Sequence, residues 1–411
     1  MIIQAGSFRY EHGRRHDDGD VDVNSQRTVI TAASLWNGSD LILDPFVSIE
    51  DGRITEIASR ADREIPDSAR HIDFFGATLA PAFFDVHIHG AAGHDVMEGT
   101  PEAVSKISRF LASHGTGSYL ATTVTAPLDS ILRSLSSLAK YLKDAQSPEW
   151  QGARPLGIHL EGPFLSHSKR GVHPPEHLLT PSIAIFDKMW EAAEGNIHLM
   201  TLAPELPGAT ELAAHAVAKG VRISVGHSNA TAAETRAAIA AGAVSATHTF
   251  NAMRALDHRE IGILGVALTD DNLFAELICD GIHVDPALVK LWWRAKGPAR
   301  GILITDGMSA TGMPDGTYTL GGFAVDVAHG KATANGVLAG SVLTLDRALT
   351  NFVEFTGASV ESVLPLLTQN PAAMTGFAAE AGTLLSGSPA SLVVLDANGK
   401  LLASFVHGQQ S

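Results

Sequence analysis

The sequence predicts an α/β protein whose main domain is a (β/α)8 barrel of the TIM type. From about residue 77 to residue 381, helical patterns alternate with short apolar runs that end in polar residues, which is typical of βαβ units and a parallel sheet. The runs number eight, the strand number of this barrel. A chain of 411 residues is long enough for such a barrel and an accessory domain.

The barrel strands are predicted from apolar runs, and the helices from apolar residues at helical spacing. The eight runs end at His87/His89, Val124, Glu161, Leu202, His227, His248, Asp280 and Asp306. The helices are predicted at residues 101–114, 128–143, 182–194, 208–219, 231–241, 285–296 and 342–356. A hairpin is predicted at residues 318–327, between the last barrel strand and the last helix.

Two segments that flank the barrel, 27–76 and 382–411, have the character of β-strands. The first contains runs rich in Val, Ile and Thr that are interrupted by Asn37-Gly38 and Asp51-Gly52, and both dipeptides are hairpin-turn signals. We expect the two segments to form one small discontinuous β-sandwich domain, which leaves residues 77–381 to the barrel. Residues 1–26 are polar and aperiodic, so a flexible N-terminal extension is predicted there.

Charge and cysteine content exclude several classes of protein. The formal net charge of −15 disfavours nucleic acid or an anionic membrane as a partner. The single cysteine, Cys279, excludes an intramolecular disulfide and fits a reducing compartment. There is no run of 18 apolar residues, and Met1–Gly6 leads directly into polar sequence without the apolar core of a signal peptide. We therefore expect a cytoplasmic protein.

Histidines and carboxylates follow the predicted barrel strands, at the end of the barrel where active sites lie. His87 and His89 alternate along the first strand and so share a face, with Asp85 behind them. The third, fifth, sixth and eighth strands end in Glu161, His227, His248 and Asp306. Any one of these groups could be structural, but six at one rim indicate a site. Several His with one Glu suit zinc or a similar transition ion, with an open position for the water that becomes the nucleophile.

The order of these groups resembles the amidohydrolase superfamily. Many of its two-metal members carry a carboxylated Lys at the end of strand four, and Leu199–Leu202 followed by Ala203-Pro204-Glu205 offers none here. Glu161, in the sequence His159-Leu160-Glu161-Gly162-Pro163-Phe164, would take that place. This departure resembles one branch, the N-acetylglucosamine-6-phosphate deacetylases, and the likeness covers roughly residues 30 to 408.

The resemblance implies roles for further residues. Glu161, His227 and His248 would hold a metal, and His87 and His89 would lie near it or bind a second ion. Asp306 would be the catalytic aspartate, and His283, in Asp280-Gly281-Ile282-His283, would polarise the acetamide carbonyl. The implied substrate-binding residues are Val172, His173, Asn251, Ala252, Arg259 and the loop residues Leu338, Ala339 and Gly340. Arg259 would bind phosphate in the site of the neighbouring subunit, which implies a homodimer.

The implied reaction is metal-dependent hydrolysis of N-acetylglucosamine 6-phosphate to glucosamine 6-phosphate and acetate, in amino-sugar catabolism or recycling. One or two divalent transition ions are implied, zinc before iron or another divalent ion. Some members of the branch replace the first His-x-His and hold one metal, so His87 and His89 indicate capacity for a second ion.

Three alternatives remain open from the sequence. The first is the same reaction on N-acetylgalactosamine 6-phosphate, since the two epimers differ at one hydroxyl group that no motif here resolves. The second is a cyclic amidase of the same superfamily, which the missing strand-four Lys and the presence of Arg259 disfavour. The third is a non-catalytic barrel that acts as a scaffold. It is disfavoured because Glu161, His227, His248 and Asp306 are all present.

Overall fold

The computed structural model describes residues 27–147 and 149–411, so the extension predicted at residues 1–26 lies outside the described residues. The strands are β1 (Thr28–Trp36), β2 (Leu41–Leu43), β3 (Pro45–Glu50), β4 (Arg53–Ser59), β5 (Arg70–Pro81), β6 (Phe83–Ile88), β7 (Gly90–Ala91), β8 (His94–Asp95), β9 (Thr116–Thr123), β10 (Arg154–Glu161), β11 (Ile197–Leu202), β12 (Arg222–Val225), β13 (Ala243–Ala246), β14 (Phe274–Ile278), β15 (Gly301–Ile304), β16 (Gly316–Leu320), β17 (Phe323–Ala328), β18 (Lys331–Ala334), β19 (Val337–Leu338), β20 (Leu392–Leu395), β21 (Leu401–Val406) and β22 (Gln409–Gln410). The helices are α1 (Pro101–Ser113), α2 (Leu128–Asp144), α3 (Ile183–Ala192), α4 (Ala209–Ala218), α5 (Ala232–Ala240), α6 (Gly262–Thr269), α7 (Pro286–Arg300), α8 (Leu345–Thr356), α9 (Val360–Val363) and α10 (Gln369–Thr375).

Eight parallel strands form the barrel, in the order β6-β9-β10-β11-β12-β13-β14-β15. Main-chain hydrogen bonds just beyond the last strand bring it back to the first. The Asp306 N–H donates to the His87 carbonyl (2.9 Å), and the His89 N–H donates to the Gly307 carbonyl (2.8 Å). The predicted barrel is therefore confirmed, and the bonds that close it lie beside the predicted site residues.

Helices cover the barrel with apolar faces that the sequence spacing explains. In α1, Val104, Ile107 and Leu111 are buried on one face, while Thr100 caps the start of the helix by accepting the Ala103 N–H (3.2 Å). All seven predicted helices are present. Helix α6 was not predicted, because its sequence GILGVALT is apolar on every side and lacks helical periodicity.

A second sheet joins strands from both ends of the described chain, in the order β22-β21-β20-β5-β1-β3-β4 with β2 beside β1. Strand β20 pairs antiparallel with β5, so that Leu392 lies opposite Pro81. A β domain built from both flanks is therefore confirmed. Strand β5 crosses residue 76, where we place the domain boundary, and continues to within two residues of the first barrel strand. The division at 76/77 stays a prediction.

A small antiparallel sheet of β16 to β19 extends from the barrel where the hairpin was predicted. Gly321 and Gly322 form its first turn with φ angles of +55° and +93°, which glycine adopts without a steric cost. The sheet brings Leu320 and Leu338 to the end of the barrel that holds the predicted site. No helix in the described part of the chain is both long and apolar enough to span a bilayer.

His407 makes the boundary between the β domain and the barrel sensitive to acid. It lines a cleft with Arg53 and Arg154. Burial lowers the pKa of His407 to about 4, and the charges of Arg154 and Arg53 act in the same direction. The unfolded chain therefore takes up this proton first as the pH falls from about 6.5 to about 4, so the stability contributed by neutral His407 is lost across that interval.

We predict that His407→Gln reduces the loss of stability between pH 7 and pH 4.5 by on the order of 1–2 kcal/mol relative to wild type. Thermal melting of both proteins at the two pH values measures the difference, and acid effects elsewhere in the molecule cancel in the comparison. His258→Gln is the control, because His258 is exposed. Equal losses in wild type and His407→Gln would contradict this prediction.

Candidate active site

Six predicted groups come together at the carboxyl end of the barrel. His87 lies in β6, and Glu161 is the last residue of β10. His89, His227, His248 and Asp306 lie within two residues of the ends of β6, β12, β13 and β15. All six are buried. The strand ends thus gather four imidazoles and two carboxylates from across the barrel, as the sequence predicts.

Glu161 is the centre of this cluster. Its Oε1 lies 3.2 Å from Nε2 of His227, 3.1 Å from Nε2 of His248 and 3.4 Å from Nε2 of His87. Its Oε2 lies 3.2 Å from Nε2 of His89. One carboxylate therefore contacts imidazoles from three other strand ends, and all four rings present the same nitrogen.

Asp306 contacts the side of the cluster formed by the first strand. Its Oδ1 lies 3.1 Å from Nε2 of His89 and 3.5 Å from Nε2 of His87. Burial would raise the pKa of Asp306. The positive charge of the His87 ring and the hydrogen bond donated by His89 outweigh burial and lower the pKa to about 2. Burial likewise opposes charge on His89, yet Asp306 and Glu161 raise the pKa of His89 to about 9. The carboxylates thus favour positive charge at the centre of the cluster.

Hydrogen bonds at the opposite ring nitrogens decide which nitrogen of each histidine can bind a metal. The Nδ1 of His89 lies 3.0 Å from the Thr122 carbonyl, and the Nδ1 of His227 lies 2.9 Å from the Lys169 carbonyl. A carbonyl only accepts, so both Nδ1 atoms carry a hydrogen, and Nε2 is the nitrogen of each ring that faces the cluster. The Nε2 atoms of His227 and His248 are 3.0 Å apart. Several imidazole nitrogens around one carboxylate are the donor set of a transition ion, and a bound cation would replace the protons that the carboxylates attract to these rings.

His173 has the opposite arrangement. Its Nδ1 accepts the Thr125 N–H (3.3 Å), so its hydrogen is on Nε2, which lies 3.5 Å from Oε2 of Glu161. Burial lowers the pKa of His173 to about 4, which keeps the ring neutral. His173, Glu161 and His227 are close enough together to hold an ion. The N–H that His173 presents suits a hydrogen-bond donor better than a ligand.

His283 is held by a carboxylate across the cavity from Glu161. Its Nδ1 donates to Oδ2 of Asp280 (2.7 Å), and Oδ1 of the same carboxylate accepts the Ile282 and His283 N–H groups (2.8 Å each). Burial would lower the pKa of His283, but Asp280 outweighs it and raises the pKa. With Nδ1 bonded to Asp280, Nε2 is the nitrogen left to face the cavity, and in the protonated ring it is a hydrogen-bond donor.

The main chain is strained at three of the six clustered residues. His227, His248 and Asp306 have φ angles of +46°, +27° and +49°, in the left-handed region that non-glycine residues avoid. Such residues cost about 1–3 kcal/mol each and persist where the surroundings fix them. At Asp306 the N–H bond to His87 and the Ser341 N–H donated to the Asp306 carbonyl (2.7 Å) do so.

A cavity of about 360 Å³ opens onto the cluster. Most of the predicted substrate-binding residues line it: Val172, His173, Asn251, Ala252, Leu338 and Gly340. Ala339 is fully buried and does not line it. Arg259 is exposed and outside the cavity, and its N–H donates to Oδ1 of Asp257 (2.8 Å). His87 is completely buried behind the cavity wall.

Glu276 was missed by the sequence analysis. It lies in β14, is fully buried, and its Oε2 is 3.4 Å from Nδ1 of His87. The sequence held a signal, because the strand FAELI has one acidic residue among apolar ones.

The fold and site together define a metal-dependent amidohydrolase barrel, and the comparison with family models agrees. The model of the Amidohydrolase family matches residues 78–411, and the chain belongs to this family. The chain is 39% identical to an N-acetylgalactosamine-6-phosphate deacetylase of Escherichia coli O157:H7, over 93% of this chain and 98% of that protein. It is 36% identical to an N-acetylglucosamine-6-phosphate deacetylase of Bacillus subtilis (strain 168), over 93% of this chain and 97% of that protein.

Solved structures agree with the sequence relatives. The crystal structure of N-acetyl-D-glucosamine-6-phosphate deacetylase from Mycobacterium smegmatis superimposes with a TM-score of 0.85 at 34% identity, covering 93% of this chain and 99% of that one. The N-acetylglucosamine-6-phosphate deacetylase of Thermotoga maritima superimposes with a TM-score of 0.80 at 32% identity, covering 94% and 98%. The similarity therefore includes both the barrel and the β domain.

We predict that zinc added to chelator-treated wild type raises its melting temperature and that Glu161→Gln abolishes most of this rise. A ligand at 100 times its Kd stabilises the folded state by about 2.7 kcal/mol, and Glu161 contacts all four histidines that are metal-ligand candidates. Thermal melting of each protein with and without zinc measures this rise in melting temperature. Glu234→Gln on the exposed side of α5 is the matched control and should respond like wild type. An unchanged zinc response in Glu161→Gln would contradict Glu161 as a ligand.

Proposed function

We propose that the protein hydrolyses the acetamide of N-acetylglucosamine 6-phosphate to give glucosamine 6-phosphate and acetate. The observation that carries the proposal is the position of Asp306, an ionised carboxylate that contacts the histidine–glutamate cluster and lines the same cavity as His283. Both a proton acceptor and a donor to a carbonyl oxygen are thus present at one cavity. The relatives that act on N-acetylated sugar phosphates support the substrate class.

The cluster would hold one or two divalent ions, with zinc as the first expectation and iron or another divalent ion as the alternative. Glu161, His227 and His248 would hold one ion, and His87 and His89 with Glu161 are placed for a second. When bound, the ion supplies Lewis acidity that lowers the pKa of water to roughly 7.

The chain's own residues would move the protons. Asp306 accepts the proton of the attacking water at Oδ1 and delivers it to the departing amine. The lowered pKa of Asp306 keeps it ionised near neutral pH. His283 donates its Nε2–H to the carbonyl oxygen as negative charge develops there, and Asp280 holds the ring in that orientation. One water is consumed, and the amide C–N bond breaks to give the amine and acetate.

The substrate would be bound by His173, Asn251 and Ala252 from one side and by the loop at Leu338–Gly340 from the other. Planar guanidinium is well suited to a phosphate dianion. Arg259 is the candidate, and its exposed position outside its own cavity is what a residue that serves a neighbouring site requires. We therefore propose a homodimer in which each Arg259 completes the partner's site.

We place the reaction in the cytoplasm, as the single cysteine and the sugar-phosphate substrate suggest.

N-Acetylgalactosamine 6-phosphate is the second candidate substrate. The relative at 39% identity carries that name, whereas the relatives described above that are named for the gluco epimer are 36% identical or less. Turnover of the two epimers under identical conditions separates the candidates, since a higher kcat/KM for the galacto epimer would reassign the substrate. A cyclic amidase is less well supported, because the fourth barrel strand ends without a lysine and Arg259 is present. A scaffold without activity is less well supported, because Glu161, His227, His248 and Asp306 come together at a cavity.

We predict that Asp306→Asn lowers acetate release by about 100- to 10,000-fold while the protein still binds metal, because the amide cannot take up the proton from water. The measurement is acetate release from N-acetylglucosamine 6-phosphate at matched metal content. Asp315→Asn is the control, since Asp315 is exposed in the loop before β16. Near-normal turnover in Asp306→Asn would refute the role of this residue as the base. Fully metallated wild type that releases no acetate from either epimer would refute the substrate class.

We predict that Arg259→Ala loses preference for the phosphorylated over the unphosphorylated sugar by about 10- to 100-fold in kcat/KM, since one charge-assisted contact to phosphate is worth a few kcal/mol. Arg236→Ala, at an exposed position of α5, is the control.

Mixed dimers of Arg259→Ala and Asp306→Asn chains test the source of the arginine. If it comes from the partner, random mixing restores about a quarter of wild-type activity, because each mixed dimer has one intact site. No recovery of activity on mixing would contradict the proposal that Arg259 completes the partner's site.

A further inference from the structure

We propose that Glu276 is a positioning residue for the metal centre. Its carboxylate fixes the ring of His87 so that Nε2 faces the space between His87, His89 and Glu161, and it thereby sets the affinity of that position for a divalent ion. The inference rests on the metal centre of the proposed function, and it assigns a role to a residue in the barrel interior that has no contact with the substrate cavity.

The contacts of Glu276 are few and directed at two metal-ligand candidates. Its Oε2 lies 3.4 Å from Nδ1 of His87 and 3.4 Å from the main-chain nitrogen of His248. Its Oε1 has no hydrogen-bond partner among the described residues, although the side chain is completely buried. A buried carboxylate with so few contacts destabilises the folded state. If the residue had only a structural role, an apolar side chain would be more favourable at this position.

The contact with His87 differs from those of the other histidines. His89 and His227 direct Nδ1 to main-chain carbonyls, which any amino acid at Thr122 or Lys169 would provide. His87 alone among these three rings has a side-chain carboxylate at Nδ1. A carboxylate acceptor holds the hydrogen on Nδ1 and increases the basicity of Nε2, which strengthens a ligand bond.

Glu276 also connects two strands of the barrel that are not neighbours in the sheet. His87 lies in β6 and His248 follows β13, while Glu276 lies in β14. The Thr249 N–H donates to the Glu276 carbonyl (2.8 Å), so both the main chain and the side chain of Glu276 hold the segment at His248, where φ is +27°. A single residue therefore supports a ligand from each side of the cluster.

A positioning role and a structural role predict opposite results for two variants. If Glu276 stabilises the barrel, its replacement lowers the stability of chelator-treated protein and leaves metal affinity unchanged. If it positions His87, Glu276→Met leaves the chelator-treated protein as stable as wild type or more so, because a buried charge is replaced by a side chain of similar volume, and metal affinity falls. Glu276→Gln keeps the shape but can present either an acceptor or a donor to Nδ1, which removes the preference for one tautomer.

The experiment titrates zinc into chelator-treated wild type, Glu276→Gln, Glu276→Met and the control Glu361→Gln, whose side chain is exposed on α9. Ions bound per chain, the Kd of each and the melting temperature without metal are measured. We expect the ion held by His87, His89 and Glu161, recognised as the one that His87→Asn also weakens, to lose about 10- to 100-fold in affinity in both Glu276 variants. The melting temperature in the absence of metal should not fall. In a His87→Asn background, Glu276→Gln should cause no further loss of affinity at the position of His87.

Unchanged zinc affinities in both Glu276 variants would overturn the proposal, as would a wild type that binds no zinc. A lower melting temperature without metal, together with unchanged affinity, would assign Glu276 a structural role instead. The readout is metal binding, so it is separate from the proposed substrate. Wild type that binds zinc but releases no acetate from N-acetylated sugar phosphates would refute that substrate and leave the role of Glu276 standing.

Discussion

The convergence of four imidazoles on the Glu161 carboxylate is the interaction on which the rest of the site depends. Glu161 comes from the third barrel strand, and the rings come from the first, fifth and sixth, so no local segment can form this contact. The barrel must close for the contact to exist. The bonds between Asp306 and His87 and between His89 and Gly307 close it at the level of the cluster, so the same main-chain atoms complete the fold and place the site.

Hydrogen bonds around the cluster determine what each group can do. Main-chain carbonyls bind Nδ1 of His89 and His227 and leave Nε2 of both rings facing the cluster, whereas the Thr125 N–H gives His173 the opposite tautomer. Residues with similar positions thus separate into ligands and a donor. Behind the cluster, Asp85 accepts a hydrogen bond from the Thr305 hydroxyl (2.6 Å), and burial raises the pKa of Asp85 to about 7. That carboxyl group belongs to the connection between the first and last strands rather than to the reaction.

The sequence predicted the barrel and the cluster because both have local signals. Apolar runs that end in His, Glu or Asp mark the strand ends, and the parallel topology then brings those ends together without knowledge of any contact. Helix α6 lacked such a signal, since a segment buried on all sides has no periodic pattern. Glu276 has one acidic letter in an apolar strand, and only the folded barrel reveals that it faces His87. Arg259 cannot be assigned a site by one chain alone, because its proposed site belongs to another copy.

The two proposed ion positions differ in their access to substrate. His89, His227, His248, Glu161 and Asp306 line the cavity, whereas His87 is completely buried behind it. An ion held by Glu161, His227 and His248 would therefore face the acetamide. His87 would help to hold the second ion from a position that the sugar does not reach, while His89 and Glu161 would hold the same ion from the cavity wall. This asymmetry gives a physical reason for a barrel to keep a carboxylate as costly as Glu276, since it acts on the ligand that the substrate cannot reach.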